Sequence, residues 1–143
     1  ISSHTSSNAR NPSICADNYP WLYFVWEDEP SNYIRHVYYR RGDIYGMGFS
    51  SIIQVSDDNC YGGDITPIVG GNGVVIWSRN DNLFGDLLWM RHVDHYQGLR
   101  NIYPIGNGIK PGLQSSSNGY HLVSEENGQI YYTNFTTEGT WCS

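Results

Sequence analysis

Apolar and polar positions alternate in short bursts along this chain, and no window long enough for three helical turns keeps its apolar residues at helical spacing. Glycine, proline, Asn/Asp and β-branched or aromatic residues break every such window. The pattern predicts short strands at residues 21–26, 35–40, 51–55, 65–69, 74–78, 87–91, 102–105, 120–124 and 129–133, each bounded by turn-forming residues. The expected fold class is all-β.

The pattern also repeats. A shift of 51 positions superposes Trp26 on Trp77, Arg40 on Arg91, Asp43 on Asp94 and Tyr45 on Tyr96. A further shift of 46 places Asn72 on Asn118, Gly73 on Gly119, Ile76 on Leu122 and Ser78 on Ser124, with a shorter hairpin in the third copy. A single domain spanning 1–143 is expected, made of about three four-stranded units, at roughly 13–63, 64–108 and 109–143. So small a unit cannot bury its apolar face alone, which leaves two solutions, β-propeller blades or, as the alternative, the lobes of a β-trefoil. Three lobes close within one chain. Three blades leave a ring open, so a propeller predicts a homodimer that completes the ring or a place in a longer chain.

Composition narrows the partners. The formal net charge is −6, with one lysine, Lys110, and seven scattered arginines, so no basic stripe is present to neutralise phosphates and nucleic acid is not expected. The uncharged run 65–78 has 14 residues, with Pro67 and three glycines, too short and too broken for a membrane-spanning helix. The chain opens at Ile1 on a Ser/Asn-rich stretch without an apolar core, which predicts a processed mature form or a piece of something longer. Low lysine, abundant Tyr, Ser, Gly and Asn, and the glycosylation sequon at Asn134 point to secretion. Cys15, Cys60 and Cys142 are too dispersed for a zinc site and predict one disulfide and one thiol. No cofactor or metal is expected.

The stretch Gly71-Asn72-Gly73-Val74-Val75-Ile76-Trp77, followed by Gly85-Asp86-Leu87-Leu88-Trp89-Met90-Arg91-His92, resembles the blade signature of the tachylectin and tectonin group of β-propeller lectins. Ile105-Gly106-Asn107-Gly108, Ser116-Ser117-Asn118-Gly119 and Glu126-Asn127-Gly128-Gln129-Ile130-Tyr131-Tyr132 continue it in the same order. The resemblance covers residues 65–132 well and 21–56 more loosely. It implies a non-enzymatic protein that binds glycans, N-acetylated sugars among them, through one shallow pocket per blade. The family's ligand contacts lie in a loop between the second and fourth strands of a blade. Here that loop is Asp43-Ile44-Tyr45-Gly46-Met47 and Asp94-His95-Tyr96-Gln97-Gly98. The family loop usually ends in tryptophan, whereas Met47 and Gly98 stand at those places. If blades are present, residues 13–16 are expected to serve as an added strand, and a Cys15–Cys142 bridge would clasp the chain, with Cys15–Cys60 as the rival pairing.

The residue types suit the task, because sugars stack their C–H faces on aromatic rings and hydrogen-bond to planar polar groups. Asp43, Tyr45, Asp94, Tyr96 and Gln97 supply that mixture, and Arg40 and Arg91 recur beside them, either to clamp a carboxylate-bearing sugar or to pair within the fold. The bland reading of the aspartates is that each bonds the backbone of its own turn. Trp26 and Trp77 are expected to fill the core between repeats. Two other classes stay open. One is a secreted acidic ribonuclease, with Glu27 or Glu29 as base and His36 or His92 as acid. The other is a β-trefoil protease inhibitor presenting residues 27–33 or 57–63.

Overall fold

A computed structural model describes residues 8–17, 20–31, 34–57, 65–81, 83, 85–94 and 98–136. They form three antiparallel sheets and, apart from the short 3-10 turn Gly71–Gly73, no helix. Sheet 1 is β1 (Arg10–Asp17), β2 (Trp21–Ser31), β3 (Ile34–Asp43) and β4 (Ile53–Gln54). Sheet 2 is β5 (Ile68–Val69), β6 (Val74–Asp81), β7 (Gly85–Asp94) and β8 (Gly98–Asn107). Sheet 3 is β9 (Ile109–Ser116), β10 (Gly119–Glu126) and β11 (Gln129–Phe135). In each sheet the strands lie side by side in chain order, so each is a meander of consecutive strands.

Two expectations change. The third sheet has three strands rather than four among the described residues, the last of which is 136, one residue past β11. The trefoil alternative needs strands of the three units to join in one barrel. Every pairing among the described strands instead stays within one unit, and no barrel closes.

The 51-residue repeat is physical. Trp26 pairs with Tyr38 and Phe24 with Arg40 across β2 and β3; their counterparts Trp77 and Trp89, Val75 and Arg91, pair in the same register across β6 and β7. β2 and β6 read as nearly continuous apolar runs because both of their faces are covered, where a half-solvated strand would alternate. Tyr23, Val25, Val37 and Tyr39 of sheet 1 form one core with Val75, Trp77 and Val93 of sheet 2. The opposite face of sheet 2, with Val74, Ile76, Leu88 and Met90, packs on Tyr120, Leu122 and Phe135 of sheet 3.

Sheet 3 departs from the simple repeat. Aligning Gly73 with Gly119 lays Trp77 over Val123, yet Leu122 turns into the core while Val123 is 43% exposed. A one-residue slip sends every side chain of a strand to its other face. The packing of sheet 3 on sheet 2 therefore matches a shift of 45 along this strand, counted from Trp77 to Leu122.

Glycine fixes two close features. Asn127 (φ 52°) and Gly128 (φ 76°) make the two-residue turn that joins β10 to β11. Gly73, at φ 74°, lets the 3-10 turn lie against β7, where a Cβ would stand 2.6 Å from the Val93 carbonyl oxygen. That turn is also gripped by neighbours: the Tyr120 hydroxyl donates to the Gly71 carbonyl at 2.8 Å, and His92 Nε2 meets the Asn72 carbonyl at 2.6 Å.

Candidate functional site

The segment Asp43-Ile44-Tyr45-Gly46-Met47 connects β3 to β4, the third and fourth strands of sheet 1. Asp43 Oδ1 accepts from the backbone N–H groups of Tyr45 at 3.0 Å and Met47 at 2.9 Å, while the Gly46 N–H reaches the Asp43 carbonyl at 3.1 Å. The Ile44 N–H donates to the Pro20 carbonyl at 2.9 Å, which ties the turn to the start of β2. The aspartate thus spends one oxygen on its own turn, as short polar side chains do. With the backbone so closed, the side chains point outward: Ile44 is 46% exposed, Tyr45 64% and Met47 67%.

Beyond the turn the chain folds back on sheet 1. The Phe49 ring lies 6.1 Å from that of Phe24, the Arg40 guanidinium sits 4.7 Å over Phe49, and Gly42 leaves the space that Phe49 fills. Arg40 Nε donates to the Ser50 carbonyl at 2.8 Å, and the Ser50 hydroxyl accepts from the Arg41 N–H at 2.9 Å. The outcome is a cationic aromatic cluster, Phe24, Phe49 and Arg40, next to a hydrogen-bonded turn that holds a tyrosine in solvent.

The second copy connects β7 to β8. Asp94 Oδ2 lies 3.2 Å from Arg100 Nη2, across the strand pair, and Tyr96 and Gln97 fall outside the described residues. Arg91 repeats the role of Arg40, its Nε donating to the Arg100 carbonyl at 2.7 Å; its Nη1 also reaches the Val55 carbonyl of sheet 1 at 2.8 Å. Burial lowers the Arg91 pKa, and the nearby Asp57 carboxylate acts the other way. Both repeated arginines therefore anchor backbone, and Arg91 also bridges two sheets.

Trp77 is buried at the junction of sheets 1 and 2, whereas Trp26, also buried, points from the other face of sheet 1 and stacks on Tyr38 at 6.1 Å. Glu27 is fully buried: its Oε1 lies 2.7 Å from Arg10 Nε and accepts from Asn11 Nδ2 at 2.9 Å, and its Oε2 accepts from the Ile65 N–H at 3.0 Å. Glu27 stands opposite Val37, and Asp28 opposite His36, so Glu27 and His36 occupy opposite faces of sheet 1. Glu29 lies 3.6 Å from Arg35, and His92 is held on sheet 2 by Asn72. Cys15 sits half-buried on β1, its Sγ 3.5 Å from the Ala16 carbonyl; Cys60 and Cys142 lie outside the described residues. Asn134 is on β11, opposite His121.

The sequence reading passed over one polar array. Ser116 Oγ lies 2.9 Å from His121 Nε2, and His121 Nδ1 lies 2.7 Å from the Tyr132 hydroxyl, with the His and Tyr rings 6.0 Å apart and 16° from parallel. The signal was the two-residue turn at Asn127-Gly128, which sets the β10–β11 register and so makes His121 and Tyr132 diagonal neighbours. A groove of about 280 Å³ between the hairpins of sheets 2 and 3 is lined by Asp86, Asn107, Ile109, Glu125, Glu126 and Asn127. Among the described residues no group of three or more His, Cys, Asp or Glu side chains is placed to hold a metal, and no helix is long and apolar enough to cross a membrane. Comparison with models of protein families, with curated proteins and with solved structures returns no match to this chain.

Proposed function

We propose that this chain is a secreted carbohydrate-binding protein built from propeller-type blades, which recognises glycans bearing N-acetylated sugars through the turn that follows the third strand of a blade. The observation that carries the reading is the Asp43-closed turn, which holds Tyr45 64% exposed beside the Arg40–Phe49 stack. An exposed ring on a pre-ordered backbone offers a sugar face a stacking surface with little ordering to be done on binding. Three meanders that pack face to face support the blade reading, as does the common register of sheets 1 and 2. In this reading a second copy, or further repeats in a longer chain, completes the ring.

The test is a glycan array followed by calorimetric titration of the best ligand. Tyr45→Ala is expected to weaken binding about tenfold, equivalent to about 1.4 kcal/mol, while the unfolding midpoint stays put because the ring is mostly in solvent. The exposed Leu83→Ala serves as the control. Absence of any retained glycan, or unchanged affinity in Tyr45→Ala, would sink the proposal.

A further inference from the structure

The three sheets have six outer edges among the described residues, and five of them carry a feature that discourages pairing. β4 and β5 are two residues long. β1 contains Pro12 and a register shift; β8 contains Arg100, Pro104 and two register shifts; β9 contains Lys110 and Pro111. β11 has none of these. Its seven residues, Gln-Ile-Tyr-Tyr-Thr-Asn-Phe, include no charge, proline or glycine and keep an unbroken register with β10. Ile130 is 74% exposed, Tyr131 47% and Tyr132 63%, and no described strand pairs with the outer side. An edge that is neutral, regular, apolar and rich in β-forming residues is a template for another strand.

We propose that β11 is a self-association edge, on which β11 of a second copy pairs antiparallel about a two-fold axis to join two three-stranded sheets into one of six strands. The occupant follows from charge and symmetry. The chain carries a net charge of −6, yet residues 129–135 carry none, so an antiparallel copy brings no like-charged side chains together. A two-fold pairing asks only that the strand fit its own reverse, which a run of aromatic and β-branched residues without charge does. Among the described residues sheet 3 is also the one sheet a strand short of its fellows. The pairing is edge to edge, separate from the face-to-face ring closure described above and independent of sugar binding.

Light scattering of the full, unglycosylated chain from about 1 µM to about 1 mM tests it, with Ile130→Lys as the edge variant. Leu83→Lys makes the same charge change at an 86% exposed turn position and is the control. The expected result is a concentration-dependent rise from 16.3 kDa toward twice that mass. In Ile130→Lys the association weakens by at least about tenfold, since lysines at a sheet edge block pairing, whereas Leu83→Lys behaves as the parent. Hydrogen exchange supplies a second readout, because backbone amides of Gln129–Phe135 should gain protection as concentration rises. A chain that stays at 16.3 kDa throughout, association undiminished in Ile130→Lys, or amides of β11 that remain unprotected in the associated state would each overturn the proposal.

Discussion

Replacing Glu27 by alanine should be among the most destabilising single changes in sheet 1. The carboxylate is fully buried and serves Arg10, Asn11 and the Ile65 N–H together. Its loss leaves a buried amide without its acceptor, at about 1–3 kcal/mol, and removes one partner of a buried ion pair, a change that costs about 3–5 kcal/mol in total. The Arg10 side chain is 33% exposed, so water takes over part of its solvation and the expected cost lies near about 3 kcal/mol. Glu27→Gln keeps the shape and one acceptor oxygen and should cost about 1–2 kcal/mol. Urea unfolding followed by tryptophan fluorescence reads both. At an m-value of about 2 kcal/mol per molar, the midpoint should fall by about 1.5 M in the alanine variant and by less than about 1 M in the glutamine variant. A midpoint for Glu27→Ala within about 0.3 M of the parent, or a glutamine variant weaker than the alanine one, would refute the idea that this carboxylate holds the junction together.

Burial first, and then the neighbouring Tyr23, raise the Tyr39 pKa well above its ordinary value of 10.0, with Arg41 opposing. The folded state thus holds that proton more tightly than the unfolded chain. The resulting stability is complete below pH 10 and is lost as pH rises above it, so Tyr39→Phe should flatten the alkaline fall in stability measured between pH 9 and 12. The Tyr39 hydroxyl is buried without a hydrogen-bond partner among the described residues, so at pH 7 the same variant should match or exceed the parent by up to about 1 kcal/mol; a loss larger than that would mean the hydroxyl is bonded after all. Gly73→Ala and Gly128→Ala share a left-handed backbone, but a Cβ at 73 meets the Val93 carbonyl at 2.6 Å while one at 128 meets nothing within 4 Å. Thermal unfolding should show about 1–2 kcal/mol lost at 128 from backbone strain and clearly more at 73, and equal losses would remove the close approach from the account.

The strand-rich character was open to reading because Gly, Pro and Asn/Asp leave no room for helix, and the aromatic pairs of β2–β3 and β6–β7 lie where the alternation places them. β9 did not show itself. Pro111 and Gly112 break its pattern, and the strand exists because Leu113 packs onto the sheet 2–sheet 3 core and against Gly70, next to β5, a tertiary cause. The 46-residue alignment failed by one position in β10 for the same reason: matching glycines align turns, but the facing of a strand depends on what it packs against. At the candidate site, Asp43 could be read as a turn aspartate from its neighbours, whereas the stack of Phe49 on Phe24 and Arg40 needs the chain to double back over Gly42. The Ser116–His121–Tyr132 array depends on strand register, which composition does not report.

One feature of the repeat gains its meaning only from the packing. Glu27 and Ser78, related by the 51-residue shift, are both buried and grip the same connector from two sheets: Glu27 accepts from the Ile65 N–H, and the Ser78 N–H donates to the Ile65 carbonyl at 3.0 Å. The Ser78 hydroxyl adds a bond to Thr66 at 3.1 Å. The connector between sheets 2 and 3 passes a buried polar residue in turn, for a Cβ at Gly108 would stand 2.9 Å from Ser124 Oγ. A segment that crosses between sheets has backbone groups belonging to neither ladder, and once buried these must be bonded to something. A polar residue kept at the same strand position in sheets 1 and 2 meets that need, which is why Glu27 lies within an otherwise apolar face. Its carboxylate is thereby committed to Arg10, Asn11 and Ile65, inside the junction and across the sheet from His36.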